Sequence, residues 1–417
     1  MQKRSSPSEI AAVIVAAILI IGLIFTVVNL SMQRSIPQVA VQAVSEQVVA
    51  TILPTKQSGS LPATVTNLTP KPPTNTPKPP TNTPEPPTNT PEPPTNIVPT
   101  VTPKLAASGT SRSNPLLIGT EIRFKNWTVT ITGVVRGKEA VQAITSANQL
   151  NKPAPKGWQY LLASLTLTNI STEQEAKSVL LGVDLRVTGD RNVRYSQTTA
   201  VVPKPLKGDL FPNGSAKGQI AFLVPADEGN LLFFVAEAFS FELDARRFVA
   251  IDEGATMRPD PALSSVIPTD AGTKRDSPAP LGTTTVSDAW EITVLEVVRS
   301  ADAARRITEA NQFNQPAPKG QEYILARVRA HYLGSDDPDT AASIDQNAFK
   351  VTGASNVIYD RPSIVSVSPN LEAYLFPGGQ IEGWVVVQVP TGEARLTLVY
   401  APVFEFSKEN QRFLAIE

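Results

Sequence analysis

"ANQLNKPAPKGWQYLLASLTLTN" occupies residues 147–169, and "ANQFNQPAPKGQEYILARVRAHY" occupies residues 310–332. The same words return 163 residues later. A period that long means two whole domains in tandem, not a stack of short repeats. The second half of each stretch alternates in places and is rich in branched and aromatic residues, which predicts a long β-strand. The first half predicts a helix exit and a strand entry. Asn148 and Asn311 end the helix in the left-handed conformation that Asn tolerates, with the amide bonding nearby backbone. Asn151 and Asn314 precede a Pro-Ala-Pro turn, where Pro153 and Pro155, like Pro316 and Pro318, hold the chain extended. Gly157 and Gly320 supply a positive φ. Tyr160 and Tyr323 open the strand with a ring to bury and a hydroxyl to bond. The invariant letters have geometric work to do. The variable ones, Trp158 and Gln159 against Gln321 and Glu322, are where copy-specific recognition is expected. A ligand loop of Asn amides with Lys156 or Lys319 is the competing reading. Catalysis is disfavoured, because the motif has no carboxylate common to both copies and no activated nucleophile.

Further matches extend the duplication. "PLLIGT" (115–120) answers "PAPLGT" (278–283), Trp127 answers Trp290, and "LFPNGSAKG" (210–218) answers "LFPGGQIEG" (375–383). The offset grows from 163 at Asn148 and Asn311 to 165 at Phe211 and Phe376. Strand-like runs in each copy, bounded by Gly, Pro and Asn, predict an all-β fold: two tandem immunoglobulin-like antiparallel sandwiches over 115–252 and 278–417. "KEAVQAITSANQ" (138–149) and "ADAARRITEANQ" (301–312) add one short helix each, read as a plug at one end of the sandwich. Residues 253–277 read as a polar linker that permits independent motion.

Both copies resemble the bacterial domain of unknown function 4352, grouped with secreted immunoglobulin-like antigens. The matching features are the Asn-x-x-Asn and Gly-x-x-Tyr before the long strand, the "LFPxG" turn, and the "VP" that closes the following strand. Asn169 fits the Asn that ends the family's long strand, whereas Tyr332 departs from it. The resemblance implies a fold and an exported location, and no catalytic residue.

The N-terminal third reads as an anchor and a stalk. Residues 1–9 form a short N-terminus. From Ile10 to Leu30 no charge interrupts an apolar run. At about 1.5 Å per residue it spans roughly 31 Å, the thickness of a bilayer core. Lys3 and Arg4 precede it, so the N-terminus is expected in the cytoplasm and the remainder outside. A cleaved secretory signal is the alternative, with its best cleavage site near Ala40 and Ala43. Residues 31–114 read as a Thr/Pro-rich stalk. They include four heptads from Thr69 to Asn96, two of "TPKPPTN" and two of "TPEPPTN". Three prolines in seven residues favour disorder or polyproline II, an extension of up to about 87 Å. An anchor followed by such a stalk resembles envelope proteins of filamentous, Chloroflexus-like bacteria.

Composition narrows the chemistry. The chain has no cysteine and one histidine among 417 residues. Disulfides, thiolate metal sites and a His-based triad in each copy are therefore excluded. A formal net charge of -1 gives no nucleic-acid footprint. Two clusters remain. Asp336, Asp337 and Asp339, followed by Asp345, offer hard oxygen ligands for calcium, but the loop lacks the Gly and Glu of an EF-hand and reads as a solvated acidic turn. The corresponding loop of the first copy is "ISTEQEA". Arg327, Arg329 and His331 alternate along the long strand and form an outward basic row, where the first copy has Ser164, Thr166 and Thr168. That row suits an acidic wall polymer, or is balanced by cross-strand carboxylates. No metal, cofactor or catalytic residue is expected. The sequence predicts a single-pass membrane protein, not an enzyme. It displays two domains that bind a surface protein or cell-wall polymer. An accessory or scaffold subunit is the second reading, and a carboxylate hydrolase the third.

Overall fold

The computed structural model describes residues 109–240, 245–359, 361–402 and 408–417. The expected anchor at 10–30 and the Thr/Pro heptads lie outside the described residues. Among the described residues, no helix is long and apolar enough to cross a membrane.

The first copy contains β1 (Leu116–Leu117), β2 (Glu121–Arg123), β3 (Trp127–Arg136), α1 (Lys138–Ala147), β4 (Trp158–Asn169), β5 (Lys177–Ser178), β6 (Val183–Thr188), β7 (Asp209–Leu210), β8 (Ser215–Pro225), β9 (Leu232–Glu237) and β10 (Arg246–Ala250). The second contains β11 (Thr284–Val286), β12 (Trp290–Arg299), α2 (Ser300–Ala310), β13 (Gln321–Tyr332), β14 (Ala342–Asp345), β15 (Phe349–Thr352), β16 (Ile358–Tyr359), β17 (Glu372–Leu375), β18 (Gln380–Pro390), β19 (Thr397–Tyr400) and β20 (Arg412–Ala415). Each copy has a front sheet, β2-β3-β4-β8 or β11-β12-β13-β18. The back sheets are β1-β10-β9-β6 and β16-β15-β19-β20, and the small pairs β5-β7 and β14-β17 complete the copies. A bulge interrupts the same register in both, between Ile131 and Gly133 and between Val294 and Glu296.

Alternation places one row of each long strand in the sandwich core. Leu161, Ala163, Leu165 and Leu167 meet Phe222, Val224, Leu185, Val187 and Phe233. Ile324, Ala326, Val328 and Ala330 meet Val385, Val387, Phe349, Val351 and Leu398. Burying each large apolar side chain stabilises the fold by about 1.5–3 kcal/mol.

The helices do not plug an end. Ala140 and Ile144 of α1 pack on Tyr160, Leu162 and Ala221, which point to the outer face of the front sheet. In the second copy Ala303 and Ile307 pack on Tyr323, Leu325, Trp384 and Val386. The i, i+4 spacing gives each helix one apolar stripe. The opposite row of the strand supplies its receptor, so the front sheet is covered over part of its outer face as well. Next to the helix a loop crosses the same outer face. Gly218 and Gly383 make room for it, because a Cβ there would strike the backbone of Leu206 and of Leu371.

Residues 253–277 are not a free tether. Ala255 and Met257 are buried against Leu232 and Ala250. The Met257 amide donates to the Arg112 carbonyl (2.9 Å). Residues Pro261–Ser265 form a 3-10 turn capped by the Asp260 side chain. Both copies fall in one compact unit. The segment expected as a free linker is thus packed against the first copy, and the copies also meet at a junction.

Candidate functional site

The repeated motif is spent on the protein's own backbone. The Asn151 amide nitrogen donates to Ile144 O, at the end of α1, and to Val201 O, both at 2.7 Å, and its oxygen accepts from Val201 N at 3.0 Å. Asn314 repeats all three bonds, to Ile307 O, Val365 O and Val365 N at 2.8–2.9 Å. Each asparagine thus clips the helix end to the crossing loop. Asn148 and Asn311 are extended, with φ −155 and −158, and not left-handed. Their oxygens accept from Leu150 N and Phe313 N at 2.9 Å, and this local bond turns the chain without a positive φ. Gly157 and Gly320 do carry positive φ, 81 and 80. The amides after them donate back to Pro155 O and Pro318 O at 2.9 Å. The hydroxyls of Tyr160 and Tyr323 reach Lys152 O and Gln315 O at 2.9 and 3.0 Å, across Pro153 and Pro316. Burial pushes both phenols up.

The variable positions are also engaged. Trp158 meets Tyr195 edge to face at 6.1 Å. Gln159 donates to Ala226 O at 3.3 Å, Gln321 bonds Gln388, and Glu322 accepts from Arg299 at 2.9 Å. In the basic row, Arg327 and Arg329 share Glu382 across the strand (2.7 and 2.6 Å), and His331 lies 2.8 Å from Glu291. These charges are balanced within the sheet.

The acidic loop is not a solvated turn. Asp339 accepts from the Arg112 Nε (2.9 Å) and backbone N (3.2 Å). Arg112 is 2 % exposed. It also donates to Pro338 O (2.7 Å) and Asn192 Oδ1 (2.6 Å), and lies over the Phe376 ring at 4.3 Å. Arg246 donates to Asp337 (2.5 Å) and to the Thr340 hydroxyl (3.0 Å). Asp345 caps a short turn by accepting from Asn347 N at 2.6 Å. Two of the aspartates are thus turned to arginines packed with the first copy, Arg246 of β10 and Arg112. Residues 109–114, expected in the stalk, belong to that fold, since Gly109 O accepts from Phe248 N and Arg112 is buried. Among the described residues, no group of three His, Asp or Glu is arranged to hold a metal. Burial pushes Asp337 up, but bonds from the Asp339 amide, Arg246 and Thr340 outweigh it and hold the carboxyl below its usual range. Burial pushes Arg112 down, opposed by Asp339.

Around this pair the copies join backbone to backbone. Phe376 N donates to Asn192 O (2.8 Å) and Arg194 N to Tyr374 O (2.9 Å), with Val193 opposite Leu375. Phe376 enters an aromatic nest with Phe234 and Phe248, at centroid distances of 6.5 and 6.0 Å. Arg194 covers Phe234 and Tyr374. The receiving segment is braced from behind. Arg191 donates to the buried Glu228 through its backbone N (2.8 Å) and guanidinium (2.7 Å), and the Tyr195 hydroxyl donates to it at 2.8 Å.

Sequence reasoning picked out the aspartates but missed their partners Arg112, Arg246, Asn192 and Phe376. One signal was present. Asn169 and Tyr332 both face a tryptophan, at an offset of 163, whereas Lys177 and Ala342 face Leu210 and Leu375 at an offset of 165. The extra residues of the second copy fall inside its acidic loop, which reaches the neighbouring domain. The departure at Tyr332 is also explained. Asn169 binds Leu210 O at 2.8 Å, while Tyr332 stacks on Trp290 at 4.9 Å, and both backbones still hold their "LFPxG" turns.

The described residues are mostly β, built of sandwich-like sheets with two short helices. Residues 116–243, in the first copy, match the family model described as Domain of unknown function (DUF4352). The resemblance read from the sequence is thereby shown over that copy. Similar solved structures include ycdA of Bacillus subtilis, provisionally described as a lipoprotein, at 13% identity and a TM-score of 0.25; the match covers 32% of this chain and 38% of that one. They also include yjhA of Bacillus subtilis, at 14% identity and 0.24, with 33% and 99% covered. A third is an uncharacterized beta-sandwich protein of Clostridium difficile, at 13% identity and 0.24, with 36% and 99% covered. At these scores the likeness adds nothing to the strand order described above. No curated protein matches the chain.

Proposed function

We propose that the protein is a single-pass, envelope-anchored protein that presents two immunoglobulin-like domains outside the cytoplasm as one docked body, and that this body binds a surface protein or polymer without catalysing a reaction. The observation that carries the binding reading is a duplicated apolar spot. Leu150 and Phe313, which precede the clipping asparagines, are exposed in both copies, as are Val201 and Val365, to which those asparagines bond. The conserved geometry of the motif therefore holds the same exposed residues at two fixed places. Two weak sites on one body engage a repetitive partner with far greater avidity than either alone. The apolar run 10–30, preceded by Lys3 and Arg4, supports the anchored, outward orientation.

Full-length chain, captured with its bound material from envelope extract, tests the reading. Wild type is expected to retain a discrete protein or polymer, Leu150→Asp with Phe313→Asp to lose it, and either single change to retain a reduced amount. Equal retention by the double variant would overturn the assignment of the spot. Protection of both domains from protease added to intact cells would overturn the location. A scaffold subunit is the second reading, favoured by the exposed apolar residues Leu180, Leu181 and Phe239 away from that spot.

A further inference from the structure

The junction between the copies is a knob in a receptor, and the chain carries a second knob and a second receptor. The knob of the second copy is the "LFPGG" turn with Phe376 fully buried; the same turn of the first copy, "LFPNG", leaves Phe211 66 % exposed. The two turns are built alike, since Gly214 N donates to Phe211 O and Gly379 N to Phe376 O. Beside Phe211, strand β5 pairs with β7, and Lys177 of β5 lines a groove of about 300 Å³ with Leu181 and Phe239.

The second receptor repeats the backbone geometry of the first, with Val399 and Phe413 at the places of Phe234 and Phe248. Asn192 and Asn356 share φ values of 58 and 59. Tyr195 pairs with Val187 as Tyr359 pairs with Val351. Gly109 O accepts from Phe248 N as Gly272 O accepts from Phe413 N. These matches put Arg275 at the place of Arg112, and Val357 and Ile358 at the places of Val193 and Arg194. Val357 and Ile358 are 48 % and 58 % exposed. Next to them opens a cavity of about 650 Å³ whose charged lining is Arg275, Arg395, Asp276 and Glu417, with Gly353 and Asn356 beside them. In the first copy, the matching Arg112 and Asn192 hold the acidic loop of the second copy. The first copy's own loop in that position carries Glu173, paired with Lys177 at 2.9 Å, and Glu175, a carboxylate suited to Arg275.

We propose that the molecules assemble head to tail, the Phe211 turn of one chain docking on the Val357–Ile358 face of the next and its 170–176 loop entering the cavity at Arg275. The internal junction is the template for this contact. A heterologous contact of this type leaves one free knob and one free receptor on each added chain, and either closes into a ring or propagates as an open array according to its rotation. The inference rests on the reading of the two copies as one docked body, and is independent of where the body is displayed.

The chain has no cysteine, so single thiols report the contact cleanly. Full-length Phe211→Cys and Ile358→Cys proteins are prepared separately, then mixed under mild oxidation. The mixture is expected to give a disulfide-linked dimer, each protein alone is expected to stay a monomer on a non-reducing gel, and a chain carrying both changes is expected to give a ladder. Absence of the mixed dimer, or dimers formed by either variant alone, would overturn the proposal. Sedimentation of the cysteine-free full-length chain gives a second measure, in which Phe211→Asp is expected to lower the association state; an unchanged profile would count against the contact. A failed cross-link with Arg112→Ala still destabilising the fold would sink the assembly alone and leave the internal junction standing.

Discussion

Phe211 and Phe376 occupy the same position of the same turn, and one is solvent-exposed while the other is fully buried at the junction between the copies. The turn itself does not set this difference. It is set by what faces each phenylalanine: Asn192 O, the Phe234 and Phe248 rings and the Arg112 guanidinium in one case, and mostly solvent in the other. Duplication kept the geometry of the turn, and neighbouring changes decided its use. The longer acidic loop is the clearest of these, since it reaches Arg112 and Arg246 where "ISTEQEA" does not.

Breaking the contrast should be most costly at the buried ion pair. Arg112→Ala leaves Asp339 buried without its cation and is expected to cost about 3–5 kcal/mol in denaturant unfolding. Arg112→Met combined with Asp339→Leu should recover most of that loss. Phe376→Ala should cost about 3 kcal/mol, because it empties a closed aromatic nest. Asn314→Ala, and Asn151→Ala in the other copy, each remove three hydrogen bonds and should cost about 1–3 kcal/mol, read from the thermal midpoint together with faster amide exchange in α2 or α1. Acid should loosen the junction next. The Asp337 carboxyl is held below its usual range when folded, so its contribution is complete at neutral pH and is lost as pH falls through that lowered value. Asp337→Asn should flatten the acid limb of the stability profile. Phe211→Ala should change the stability of the isolated molecule by less than about 0.5 kcal/mol, and so sharpens the comparison with Phe376 most directly.

Much of the fold was legible from residues 147–169 and their echo. The long strands, the helices and the positive φ at Gly157 and Gly320 all follow from local pattern, because periodicity and backbone sterics act within a few residues. The placement of the helix did not follow. Tyr160 and Leu162 alternate with Leu161 and Ala163, and the resulting run of buried residues has one strand face for the sandwich and one for the helix, a division that pattern alone leaves open. The candidate site was half visible: the aspartates stood out, and their arginines did not. Arg112 lies 227 residues from Asp339, and Arg246 lies 91 residues from Asp337.

The sequence by itself determined that a domain was doubled, which residues form its strands and turns, and that thiol chemistry and a histidine triad in each copy are absent. Tertiary structure alone decided that the two copies dock, that an apparent acidic surface loop is a buried clasp, and that one of two equivalent phenylalanines remains uncovered. The physical reason is range. Strand and turn preferences are short-range properties of the chain, whereas a buried ion pair exists only when folding carries two distant segments out of water together.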